Sequence, residues 1–194
     1  MCHKLFFDAS LYQLLLKFDE DLATETQRGR CQRCGGRLDD CRFPRKPRVA
    51  RTMALPAGYD WRFSYVCGTR TCRKRSTPPS MRFLGRRLYL GAVVVLATAL
   101  QQGVTPWRAS QLRDLLGVSR QTLARWRTWW TAAFTESAFW KAAKAAFSPA
   151  VDETAAPSSL LARFAGDELA RLAGLLRWLA PVSTPAAYVP DRRR

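Results

Sequence analysis

Tyr65–Ser80 reads YVCGTRTCRKRSTPPS, and its meaning depends on a second stretch, Cys31–Gly36, which reads CQRCGG. Cys67 and Cys72 enclose four residues; Cys31 and Cys34 enclose two and are followed by Gly35-Gly36. Four thiolates from two such turns can surround Zn²⁺ tetrahedrally, and a small residue after the first pair lets backbone amides turn toward the sulfurs. Together the pairs read as the two knuckles of a zinc ribbon, with Cys31, Cys34, Cys67 and Cys72 as ligands of one structural Zn²⁺. Such a site is closed by four sulfurs and keeps no open position for catalysis. A redox CxxC is an alternative, although that motif opens a helix in a βαβ context and here turn-rich sequence follows. Unligated thiols in a basic loop are the other alternative, since a four-residue gap is less diagnostic than a second CxxC. Cys41 competes as a fourth ligand in place of Cys67 or Cys72, whereas Cys2 and His3 lie far from the cluster and read as incidental.

The surroundings of the cysteines support the staple. Between Arg28 and Arg87 there are 17 Lys/Arg against three acids, a net of +14 within a chain total of +17. This segment is rich in Pro and Gly turns and has only short strand-like runs, chiefly WRFSYV (Trp61–Val66), where apolar residues alternate. A β module with so little core needs a metal to hold it together. An excess of 32 Lys+Arg over 15 Asp+Glu implies a polyanionic partner, and nucleic acid is the commonest one. A ribosomal or membrane-surface role gives a similar total.

Outside the ribbon the chain reads as helical. Residues 1–27 form one amphipathic helix, with Leu11, Leu14, Leu15 and Phe18 at helical spacing and a start at Asp8-Ala-Ser10. Asp8, Lys17, Asp19 and Glu20 interrupt its apolar run, unlike a secretory signal. Leu88–Leu100 is the most apolar stretch, but its 13 residues fall short of the roughly 20 that span a bilayer. It reads as part of a core helix over Leu88–Gln102, and the protein as cytoplasmic and nucleoid-associated, with no membrane partner. Cytosolic cysteines are more often thiols or metal ligands than disulfides. The expected class is α+β, mostly α: an N-terminal helix (1–27), a basic zinc ribbon (28–87), a helical DNA-binding region (88–147), then a linker, an amphipathic helix and a disordered Pro-rich tail (148–194).

Trp107–Trp130, WRASQLRDLLGVSRQTLARWRTWW, carries the second motif. Leu112, Leu115 and Leu116 give an apolar face, Gly117 permits a left-handed turn, Val118 plugs the angle, and Ser119 is placed to cap a second helix. Leu123 and Trp126 then face the core. This is the spacing of a helix-turn-helix, whose second helix enters the major groove of duplex DNA. Arg120, Gln121 and Thr122 would meet bases or phosphates, Arg125 lies one turn later on that face, and Arg127 flanks it. Arg and Gln suit bidentate contacts to guanine and adenine. Arg113 departs from the small residue usual at the inter-helix contact, and a packing αα-hairpin is the plain alternative. In the ribbon, Arg73, Lys74 and Arg75 are expected to hold phosphates. Trp126, Trp129, Trp130, Phe134, Phe139 and Trp140 read as core or as an interaction surface.

The order of CQRCGG, the basic PRKPR (Pro44–Arg48), Phe63–Arg87 with its C-R-K-R-x-T-P step, and Leu115–Trp130 resembles the zinc-ribbon and helix-turn-helix region of bacterial insertion-sequence transposases. The resemblance covers residues 29–130. It implies recognition of an element's terminal repeats by Cys31/Cys34/Cys67/Cys72-zinc and helix-turn-helix modules, ahead of a catalytic domain. That chemistry needs three carboxylates holding two Mg²⁺ on an RNase-H-like fold. After Trp130 the acids are Glu136, Asp152, Glu153, Asp167, Glu168 and Asp191, without its strand pattern. The expected function is therefore DNA binding by an accessory, truncated or regulatory transposase-like protein, leaning away from an enzyme. The alternatives are an active transposase subunit whose catalytic domain lies on another chain, and a basic zinc-ribbon RNA or ribosome binder. The last amphipathic helix offers a surface for a homodimer.

Overall fold

Helix α1 runs from Ala9 to Arg28 and acts as a spine. At 1.5 Å per residue its 20 residues span about 30 Å. Its first turns bury Leu11, Tyr12 and Leu15 in a helical core, while Ala23 near its far end enters a separate, smaller core. The computed structural model describes residues 9–45, 54–83, 110 and 119–184, which fold as an α+β protein. The core helix read at Leu88–Gln102, the first helix and turn of the helix-turn-helix (Leu112 to Val118), and the tail from residue 185 lie outside the described residues.

Among the described residues five short strands follow α1: β1 (Leu38–Asp40), β2 (Phe43–Pro44), β3 (Trp61–Arg62), β4 (Tyr65–Cys67) and β5 (Arg75–Ser76). They make two antiparallel sheets, β1-β4-β5 and β2-β3. Leu38 pairs with Cys67 and Asp40 with Tyr65; Tyr65 also pairs with Ser76. The alternating run WRFSYV is not one strand. It changes sheet at Phe63-Ser64, where the Cys41 amide donates to the Ser64 carbonyl at 2.8 Å. Among the described residues the smaller core holds only Ala23, Cys31, Leu38, Tyr65 and Cys67, with Phe63 and Cys72 packed on its edge. So little apolar burial cannot offset the conformational entropy of ordering the segment, which places the burden on the cysteines.

The helical body comprises α2 (Arg120–Thr128), which widens into a π-helical turn at Trp129–Phe134, then α3 (Ala138–Ala143), α4 (Ser158–Leu161) and α5 (Glu168–Leu179). Trp126, Trp129, Trp130, Phe134 and Trp140 are buried, and Phe139 packs against them from a half-buried position. Their rings meet edge-on or tilted, as at Trp129–Trp130 (4.9 Å, 78°) and Phe139–Trp178 (4.8 Å, 62°). Five aromatics of the group are thus core rather than a stacking surface. Leu172, Leu175, Leu176 and Leu179 of α5 complete the packing.

The segment VDETAAPSS, read as a linker, is ordered. Asp152 caps a short turn by accepting from the Thr154 amide, and Leu160 and Leu161 just beyond it are buried. The last amphipathic stretch is interrupted at Gly166, whose φ of 101° suits a residue without a Cβ. Asp167 then starts α5 by accepting from the Ala170 amide.

Spine, ribbon and helical body meet at one buried ion pair. Asp19 of α1 and Arg82, six residues past β5, are both fully buried, with Nε 2.8 Å from Oδ2. Asp19 also accepts from the Ser80 hydroxyl at 2.5 Å and the Met81 amide at 2.6 Å. Arg82 donates to the carbonyls of Tyr59 (2.6 Å) and Trp61 (3.0 Å) and lies against the rings of Tyr59, Phe63 and Phe83. The Ser80 amide donates to Ser183 Oγ at 2.7 Å, which ties the turn after α5 into the same cluster. Removing one partner strands a buried charge, so Asp19→Ala or Arg82→Ala should lose about 3–5 kcal/mol in urea unfolding. In a double-mutant cycle with Arg82→Met, the second substitution should cost far less than the first; additive losses would show that the pair is not coupled.

Candidate metal centre

The two cysteine pairs sit on loops that the sheet brings together. In the first, the Cys31 amide donates to the Gly36 carbonyl at 2.9 Å, and the Gly35 amide donates back to the Cys31 carbonyl at 2.7 Å. In the second, the Cys72 and Arg73 amides donate to the Thr69 carbonyl at 3.0 and 3.1 Å. The pairing of Leu38 with Cys67 and the 2.9 Å bond from the Gly68 amide to the Arg37 carbonyl hold one loop against the other. All four thiol sulfurs of Cys31, Cys34, Cys67 and Cys72 lie within 4.8 Å of one another.

The separations suit a metal. Cys34 and Cys67 sulfurs are 3.4 Å apart, and those of Cys31 and Cys72 are 3.7 Å apart. A tetrahedron with Zn–S bonds of about 2.3 Å has edges of about 3.8 Å. A disulfide would need about 2.05 Å, so these are four free thiols arranged around a point. The cradle is also tight: a Cβ on Gly36 would collide with Thr69 Oγ1 and stand 3.0 Å from the Cys67 sulfur. These four residues can hold one divalent ion, and an all-sulfur set suits Zn²⁺.

The thiols are not electrically equivalent. The Thr69 hydroxyl beside Cys67 brings its pKa down to about 7, and a hydrogen bond from the Arg33 backbone lowers that of Cys31. The Lys74 amide favours the Cys72 thiolate, but burial and the neighbouring sulfurs outweigh it and push Cys72 up to about 11. A fourth thiolate beside others is repelled, and a divalent cation removes that repulsion.

Cys41 stands outside the cluster; Arg75 reaches it instead, with Nη2 3.4 Å from its sulfur. Of the residues expected to contact DNA, Arg73, Lys74 and Arg75 are exposed, and Arg75 also bonds Ser64 Oγ at 3.3 Å. Gln121 and Arg125 are exposed on α2; the side chains of Arg120, Thr122 and Arg127 lie outside the described residues. The ribbon and α2 sites are not brought into one described cluster. Further exposed cations surround the knuckles at Arg28, Arg30, Arg33 and Arg70. Their place within two residues of a cysteine was the available signal for the last three. The acids are engaged: Asp39, whose carboxylate stands beside Gly68, pairs with Arg37 and Asp40 with Arg42, while Glu136 and Glu153 pair with Lys141 and Lys144 in the helical body. Among the described residues no helix is long and apolar enough to cross a membrane. No family model matches the chain, and no curated protein or solved structure matches it.

Metal should load at one ion per chain, measured by elemental analysis, and Cys67→Ser or Gly36→Ala should abolish or sharply weaken that loading. Binding must displace the proton of Cys72 throughout the neutral range, and that of Cys67 as well below about 7. The apparent Zn²⁺ affinity should therefore fall on acidification, more steeply below pH 7, in competition titrations with a chelator.

Proposed function

We propose that this chain is a transposase-like, zinc-stapled DNA-binding protein without a nuclease of its own, in which the ribbon grips the phosphate backbone and α2 reads bases. The observation that carries the reading is the separation of charge in the ribbon. Arg28, Arg30, Arg33, Arg70, Arg73 and Lys74 are exposed around the knuckles and make no ion pair among the described residues. Asp39 and Asp40 are already taken by Arg37 and Arg42. A cationic end held rigid by a metal suits a regularly spaced polyanion better than a small acidic ligand. The Zn²⁺ is structural in this reading, because four sulfurs leave no position for substrate.

Gln121 and Arg125 are exposed on one helix that rests on a tryptophan core, which favours a rigid reading element. The transposase-like origin rests on the sequence resemblance from residue 29 to residue 130, and a catalytic chain supplied separately is compatible with the same binding device.

Six phosphate contacts predict that log K for a random-sequence duplex falls against log salt with a slope of about −5. Fluorescence anisotropy across a salt series measures it, and a flat profile would sink the proposal. Selection from random duplexes should return a motif that Gln121→Ala with Arg125→Ala erases while non-specific affinity persists. Tighter binding to structured RNA than to duplex DNA, unchanged by that double substitution, would favour the RNA-binding alternative.

A further inference from the structure

Among the described residues, two that carry a Cβ hold a positive φ, and both are arginines beside the thiol cluster. Arg30 has φ 54° and precedes Cys31; Arg73 has φ 46° and follows Cys72. A Cβ makes this left-handed conformation unfavourable, so glycine is its usual occupant. The protein itself offers the comparison. Gly35, at φ 70°, follows the second cysteine of the first pair, the position that Arg73 occupies in the second. Arg30 likewise sits at the left-handed turn that ends α1, where a glycine is the common choice. Strained backbone persists where surrounding bonds over-determine it, and such residues concentrate at binding sites. Here the bonds are Arg30 N to Gln27 O at 3.2 Å, Arg73 N to Thr69 O at 3.1 Å, and Cys67 N to Lys74 O at 2.9 Å.

Cys31 and Cys72, the immediate neighbours of these arginines, have sulfurs 3.7 Å apart. The two arginine backbones therefore flank one edge of the cluster. Both side chains are exposed. We infer that Arg30 and Arg73 form a clamp across the Cys31–Cys72 edge that holds adjacent phosphates of a duplex DNA backbone. This rests on the DNA-binding reading and specifies which contacts the ribbon makes. A planar guanidinium matches the phosphate oxygens with two parallel donors, which explains arginine rather than lysine at strained positions. The centre's own charge does not use them up. Four thiolates around a divalent ion carry −2, whereas six exposed cations surround the knuckles. The surplus is available to a polyanion.

The full-length, zinc-loaded chain carrying Arg30→Gly and Arg73→Gly tests the clamp against a random-sequence duplex. Relief of strain should raise Tm by a few degrees. Zinc should stay at one per chain, and the salt slope should lose about 1.8, the share of two phosphates. Arg30→Gln with Arg73→Gln keeps each Cβ and should lose the same slope with no gain in Tm, which covers the case in which the glycine pair disturbs the knuckles. An unchanged slope in both variants overturns the clamp while the DNA-binding reading stands. Weakened zinc binding with an unchanged slope overturns it in the same way and assigns the arginines to the metal. If the unsubstituted protein does not bind the duplex, the reading and the clamp fall together.

Discussion

The Asp19–Arg82 ion pair is the contact on which the assembly of this protein depends. Taking both charges out of water costs several kcal/mol per ion, and the attraction between them offsets this only when every remaining donor and acceptor is satisfied. Here the carboxylate accepts from Ser80, Met81 and Arg82, and the guanidinium donates to Asp19 and to the carbonyls of Tyr59 and Trp61. Aromatic faces close the remaining sides. A pair of leucines would contribute as much or more to raw stability, but would accept many arrangements. The hydrogen-bonded pair accepts one, which fixes the residues after the ribbon against α1 and the turn after α5.

That arrangement would give a metal held by the four cysteines a longer reach than its own loops. Among the described residues the smaller core is five buried residues, two of them cysteines of the cluster. Ala23 and Asp19 stand four residues apart on α1, so the helix that lines the ribbon also carries the carboxylate that binds Ser80–Arg82. The ribbon is entered from one end of this spine and left beside its middle. Occupancy of the four-cysteine site would therefore bear on the packing of α1, whose Ala23 lies in the same small core as Cys31 and Cys67.

The cysteines were legible in the sequence because knuckle geometry is local: pair spacing and the glycine after it determine where the sulfurs go. The four-sulfur cluster excluded Cys41, which spacing alone left in competition. Elsewhere, long-range contacts overrode local signals. WRFSYV alternates like one strand, yet Ser64 is buried and its carbonyl is engaged by Cys41, so the chain passes between sheets there. VDETAAPSS has the composition of a linker, but Leu160 and Leu161 just beyond it belong to the core and order it. Asp19 read only as one of the charges that interrupt the apolar run of the first helix, because nothing near it in the sequence announces a partner 63 residues away. On α2 the tryptophan spacing correctly marked the core face, since that pattern lies within one helix.

The same separations govern how the chain acquires its shape. Asp19 finds its partners 61 to 63 residues downstream, and Ser80 finds Ser183 a further 103 residues on. As the polypeptide leaves the ribosome, α1 emerges early with an unmatched carboxylate among its apolar side chains. Ser183 arrives only after nearly all the described residues have been made. Contacts this distant cannot form until the intervening loops have closed, which slows the search and prolongs exposure of the tryptophan-rich surface. A metal joining the two cysteine loops would shorten that search, since it could bring residues 31 and 72 together before the last helix exists. The ion would then serve as a timing device during synthesis as well as a staple in the finished molecule.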